Sequence, residues 1–157
     1  MHRIQTVQNL PISLEAAWDF FSNPKNLSKI TPPDMNLIPT SPLPEHTYPG
    51  LFITYKVKPL LGIPLLWVTE ITHVREQQFF VDEQRMGPYR IWHHQHHFKA
   101  VPGGVEMTDI VDYRVPFGPI GLLLNALMIG KKVQHIFDYR SKRLVELFGE
   151  WKNQGSR

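Results

Sequence analysis

The stretch Gly87-Pro88-Tyr89-Arg90-Ile91-Trp92-His93-His94-Gln95-His96-His97-Phe98, followed by Val105-Glu106-Met107-Thr108-Asp109-Ile110-Val111-Asp112-Tyr113 after Gly103-Gly104, reads as one β-hairpin. Side chains alternate across a strand, so Trp92, His94, His96 and Phe98 share one face and Ile91, His93, Gln95 and His97 the other. The aromatic ends of the first set turn it inward. If Phe98 stands opposite Val105, then His96 faces Met107, His94 faces Asp109 and Trp92 faces Val111. Asp109 then lies in the apolar row of Val105, Met107, Val111 and Tyr113, where a carboxylate needs a partner. His94 is the expected one. A slip by one residue would reverse every face.

Outward from the hairpin, His2 to Leu10 alternates as a strand and ends at Pro11. Ser13 can cap a helix over Leu14 to Phe21 with Leu14, Ala17, Trp18 and Phe21 on one face. A second helical turn is expected from Pro24 to Ile30, before Thr31-Pro32-Pro33 stops it. Met35 to Pro49 carries four prolines and reads as a loop or irregular edge strand. Strands are expected at 51–57, 65–74, 79–86, 89–98 and 105–115. From Pro119 to Phe148, Leu122, Ala126, Ile129, Val133, Ile136, Phe137, Leu144 and Leu147 recur at helical spacing. Such a helix is about 45 Å long and must lie across a sheet. Gly130 in its interior marks a bend or a close contact.

Composition narrows the function classes. At 157 residues the chain suits one domain, 1–157, and its 11% aromatic content is that of a globular protein. The net charge of +3 comes from scattered Lys and Arg without a basic run, so no nucleic-acid partner is expected. The absence of cysteine removes disulfides, thiolate metal sites and thiol nucleophiles, and suits a reducing, cytoplasmic setting. No secretory signal opens the sequence and no apolar run is long enough to span a bilayer, so no stable membrane insertion is expected.

Several local signatures, Ala17-Trp18-Asp19-Phe20-Phe21, Ile30-Thr31-Pro32-Pro33, Phe80-Val81-Asp82-Glu83-Gln84, Trp92-His93-His94, Met107-Thr108-Asp109 and Ile136-Phe137-Asp138-Tyr139-Arg140, occur within this order of elements. Together they resemble the SRPBCC superfamily, which includes START domains, the birch-pollen allergen and aromatase/cyclases. Within it the chain is similar to a bacterial subgroup of stand-alone domains, cell-division-inhibitor-like or uncharacterised. The resemblance spans almost the whole chain. It implies an α+β helix-grip fold, a curved antiparallel sheet wrapped around a long C-terminal helix with two short helices after the first strand. It also implies a deep cavity for an apolar or amphipathic ligand, and no particular reaction.

The residues set out two function classes. One is a carrier or sensor enclosing a small hydrophobic or amphipathic molecule, with Trp92, His94, His96, Met107, Asp109, Val111 and Tyr113 as its binding set. The alternative is a cofactor-independent cyclase, dehydratase or isomerase in which His94 and Asp109 move a proton. The carrier leads, because no nucleophile or cofactor motif is present. The plain reading of the His94–Asp109 pair is a buried hydrogen bond stiffening the wall. Two histidines at i and i+2 point the same way on a strand, but a metal needs a third ligand; Asp109 is the one at hand, and the spacing matches no known zinc motif. No metal and no cofactor is therefore expected. Glu70, Asp82 and Gln84 are further polar candidates, read more simply as solvent-facing. Arg140 is expected to pair with an acidic strand residue or lie over the helix exterior.

Overall fold

The computed structural model describes residues 1–59 and 62–152, without the side chain of Leu122, one of the expected stripe positions. Seven antiparallel strands form one sheet: β1 (His2–Leu10), β2 (Ile38–Pro39), β3 (Leu51–Val57), β4 (Leu65–Arg75), β5 (Phe79–Met86), β6 (Ile91–Val101) and β7 (Gly104–Arg114). Their order is β1-β7-β6-β5-β4-β3-β2, so a meander closes with the first strand beside the last. The sheet is curved and grips the C-terminal helix. Helix α1 (Leu14–Phe21) and 3-10 turns at Pro24–Ile30 and Pro33–Met35 follow β1. Ser13 caps α1 by accepting from the Ala16 amide at 3.1 Å, as the sequence predicts. The Asn23 side chain caps the first 3-10 turn through the Lys25 amide. The proline-rich stretch contributes only the two-residue edge strand β2.

The hairpin differs from the sequence expectation in register, not in faces. Phe98 pairs with Met107, His96 with Asp109, His94 with Val111 and Trp92 with Tyr113, a shift of two residues from the expected set. The cause is the turn. Val101 pairs with Gly104, leaving Pro102-Gly103 as a two-residue loop. Proline fixes a negative φ at the first loop position and Gly103 has φ +90°, the pattern of a type II turn. Because two is the side-chain period of a strand, Trp92, His94, His96 and Phe98 still face inward and are buried.

The terminal helix is not one regular rod. It runs as α2 (Gly118–Leu124), a π-helical segment over Asn125–Ile129, and α3 (Gly130–Phe148). The Gly130 amide donates to the Asn125 carbonyl, five residues back, so the glycine sits where the helix widens. A Cβ at Gly130 would lie 3.0 Å from that carbonyl oxygen. Past the widening, Val133, Phe137, Arg140 and Leu144 form the buried stripe. Of the expected stripe, Ala126 ahead of it and Leu147 near the end are exposed, so the buried stripe is shorter than the periodicity implied.

Three apolar clusters make the core. Leu10, Ala17, Trp18, Phe98, Met107 and Leu144 join α1 to β1, β6, β7 and the end of α3. Trp92, Val111, Tyr113, Val133 and Phe137 fill the middle under α3, and Leu51, Ile53, Tyr55, Val57 and Ile71 line β3 and β4. At the hairpin end, the backbone of β1 passes close to Gly104: a Cβ there would stand 2.0 Å from the Leu10 carbonyl oxygen. Gly104→Ala must therefore push β1 off the sheet edge, with an expected loss of about 1–3 kcal/mol in urea unfolding. A loss indistinguishable from zero would show that β1 yields without resistance.

Candidate functional site

Strands β5, β6 and β7 and helix α3 bring five ionisable side chains together in a largely apolar wall, with the Thr69 hydroxyl of β4 donating to Asp82 at 3.5 Å. Asp82 stands opposite His94 across β5 and β6, and His96 opposite Asp109 across β6 and β7. The shortest hydrogen bonds run along the diagonals. His94 Nε2 lies 2.9 Å from Asp109 Oδ1, and His96 Nε2 lies 2.8 Å from Asp82 Oδ2. The rings overlap with centroids 3.7 Å apart, and Phe80 stacks on the outer side of His96 at 4.2 Å. His94 Nδ1 lies 3.5 Å from Asp82 Oδ2. His96 Nδ1 lies 2.8 Å from Asp109 Oδ1 but lacks a hydrogen-bonding angle, leaving it a buried nitrogen without a hydrogen-bonded partner. From α3, Arg140 Nη1 reaches Asp109 Oδ2 at 3.3 Å while its guanidinium lies over the Phe137 ring.

Burial governs the electrostatics. Asp109, His94, His96 and Arg140 are 2, 4, 6 and 7% exposed, whereas Asp82 keeps partial access. Burial alone would raise Asp109, but the charge of Arg140, the hydrogen bond of His94 and the close approach of His96 hold it well below the usual carboxylate range. Burial acts on Asp82 in the same upward sense and is outweighed by His94, His96 and Arg140, which lower it. His94 is pushed down to about 4 by burial, aided by its positive neighbour His96, so its ring is neutral at pH 7. Burial also opposes charge on His96, but Asp109 and Asp82 on its two sides overcome it and raise its pKa. The rings thus differ in state although they differ little in exposure.

A cavity of about 160 Å³ opens beside this cluster, between β3 to β6, the segment from Phe20 to Thr31 and α3. Ile53, Tyr55, Trp67, Ile71 and Phe137 give it a mainly apolar lining, which also includes Asn23, Asn26 and Thr69, and Asp82, His94, His96 and Arg140 are its ionisable groups. Of the residues expected from the sequence to bind a ligand, Trp92, His94 and His96 reach the cavity. Met107, Asp109, Val111 and Tyr113 do not line it. They face inward as alternation requires, but β7 lies where helices cover the sheet: Met107 packs with Trp18 and Leu144, Val111 and Tyr113 with Val133 and Phe137. Asp109 lies behind the two rings, pairing them with Arg140.

Asp82 is the site residue that sequence reasoning undervalued. It follows three apolar residues, Phe79-Phe80-Val81, with both Phe80 and Val81 buried, so alternation gives no clear phase there. Two register irregularities in neighbouring β4 blur it further. Glu70, by contrast, pairs with Arg85, and Gln84 binds the backbone of Tyr89. Asp82, His94 and His96 offer three ligand atoms that all lie within 4.8 Å of one another.

Solved structures share this architecture. A protein from Chromobacterium violaceum superposes with a TM-score of 0.72 at 10% identity, covering 96% of this chain and 100% of that one. The Bet v 1-like protein Ara h 8.0201 superposes at 0.58 and 12% identity, over 92% of this chain and 98% of its own. These likenesses show the helix-grip fold. A nucleoside-diphosphate sugar epimerase from Corynebacterium glutamicum matches at 0.64 and 22% identity, over 91% of this chain and 28% of that longer protein. No protein-family model and no curated protein matches the sequence. Among the described residues no helix is long and apolar enough to cross a membrane.

The Asp109–Arg140 contact makes a stability prediction. Arg140→Met leaves a buried carboxylate without its guanidinium, and the expected loss is about 3 kcal/mol. Asp109→Asn together with Arg140→Met should cost less than the sum of the single changes, with a coupling of roughly 0.5–3 kcal/mol by urea unfolding. Strictly additive losses would show that the two groups do not act as a pair.

Proposed function

We propose that the protein binds a small hydrophobic or amphipathic molecule in the cavity between its sheet and helices, with the polar part of the ligand toward Asp82, His94 and His96. The observation that carries this reading is the lining: apolar and aromatic side chains make up most of it, and its ionisable groups, Asp82, His94, His96 and Arg140, belong to one cluster. Its volume of about 160 Å³ is under the roughly 300–1,000 Å³ of pockets for drug-sized molecules, and smaller than the deep cavity the sequence suggested. The ligand class is therefore compact, a single ring or a short chain. The Bet v 1-like neighbour supports the reading at the level of fold. We assign the chain to the bacterial stand-alone SRPBCC subgroup on its sequence signatures, and place it in the cytoplasm on its lack of cysteine.

A second reading, proton transfer in a cyclase, dehydratase or isomerase, draws on one feature. His94 is neutral, is held by Asp109 through Nε2, and borders the cavity, which are properties of a general base. The binding reading is favoured because most of the lining is apolar or aromatic.

Trp67 and Trp92 both line the cavity, so tryptophan fluorescence reports its occupancy. Titration with single-ring phenols and short-chain alcohols should give a saturable change. Ile53→Phe, which fills the void from β3, should weaken it roughly tenfold, about 1.4 kcal/mol. Absence of saturation with every probe, or equal affinity in the filled variant, would remove the cavity as the binding site. For the catalytic reading, His94→Ala must abolish turnover while leaving binding largely intact.

A further inference from the structure

We propose that Asp82, His94 and His96 form a binding site for one divalent first-row transition-metal ion, with Asp109 and Arg140 as its outer support. The proposal does not depend on the ligand-binding reading, and the ion alone is its probe.

Three independent features of the cluster lead to it. The first is convergence. His94 and His96, two apart on β6, point the same way, and Asp82 reaches across from β5, so two imidazole nitrogens and a carboxylate oxygen come within 4.8 Å of one another. Asp82 supplies the third ligand that the histidine pair lacks in the sequence. Two imidazoles with one carboxylate, and no thiolate, suit zinc, iron(II), cobalt or nickel rather than calcium, magnesium or copper(I).

The second is what lies behind the rings. Each histidine turns one nitrogen to Asp82 and the other to Asp109: His94 Nε2 is 2.9 Å and His96 Nδ1 2.8 Å from the same Asp109 oxygen. Metal-bound histidines commonly donate the remaining ring N–H to a carboxylate, which fixes the tautomer and aims the free lone pair at the ion. Here a single carboxylate serves both rings, and Arg140 holds it. With the hydrogens on the Asp109 side, the lone pairs of His94 Nδ1 and His96 Nε2 converge on Asp82.

The third is access. Because these three ligands also border the cavity, the ion would keep a coordination position open toward it.

The test uses the full chain freed of metal with a chelator, then titrated with Co²⁺, followed by visible absorption, and with Zn²⁺ in competition with a chromophoric chelator. One ion per chain is expected, with cobalt bands of a low-coordinate nitrogen and oxygen site. Asp82→Asn, His94→Gln and His96→Gln should each weaken binding by at least roughly 100-fold, and Asp109→Asn by roughly 10–100-fold. His93→Gln, on the outer face of β6, should leave it unchanged. Asp82 is only partly buried, so Asp82→Asn decides the matter if the histidine variants fail to fold, with near-ultraviolet circular dichroism as the check. Lack of stoichiometric uptake, uptake unaffected by Asp82→Asn, or uptake lost in His93→Gln would each overturn the site.

Discussion

The carboxylate of Asp109 is the constraint around which this fold is arranged. It lies on β7 in a row of apolar side chains, almost wholly shielded from water, and a charge there is tolerable only when fully partnered. The partners come from two other elements: His94 and His96 from β6, and Arg140 from α3. One group thereby ties the hairpin to the helix. The buried stripe of α3 carries Arg140 between Phe137 and Leu144, so rotating the helix to bury a more apolar face would strand both the guanidinium and the carboxylate.

The cavity follows from where that tie is made. Val133, Phe137 and Leu144 hold α3 against the part of the sheet formed by β1, β6 and β7, where Val111 and Tyr113 pack beneath it. Toward β3 and β4 the curved sheet is faced by the Pro24–Ile30 turn and by smaller contacts, and a gap remains. Its ionisable groups include the His94–His96 pair, which Asp109 backs from the other side. A buried network built to neutralise one charge thus presents the other nitrogens of its rings, with Asp82, to a cavity. Structure and chemistry share those atoms.

Much of this was legible in the chain. Alternation of Trp92, His94, His96 and Phe98 fixed the inward face of β6 whatever the register, because pairing slipped by two residues and two is the strand period. Asp109 stood out as a carboxylate in an apolar row, and Ser13, Pro11 and the prolines after Thr31 bounded the first helical elements. The partners of Asp109 were less clear. Placing the turn at Gly103-Gly104 instead of Pro102-Gly103 matched it to His94 alone, whereas the true register sets His96 opposite and lets both rings reach the same oxygen.

The sequence by itself determined the order of elements, the α+β class and the faces of β6 and β7, since these depend on local periodicity and on turn and capping residues close along the chain. Only the tertiary structure decided that Asp82 joins the two histidines, that Arg140 meets Asp109, and that Met107, Val111 and Tyr113 lie under helices instead of lining the cavity. Those outcomes depend on inter-strand register, on the bulges of β4 and on the rotation of a helix about thirty residues farther along. Periodicity says which way a side chain points; what it meets there is set by how distant elements are laid against one another.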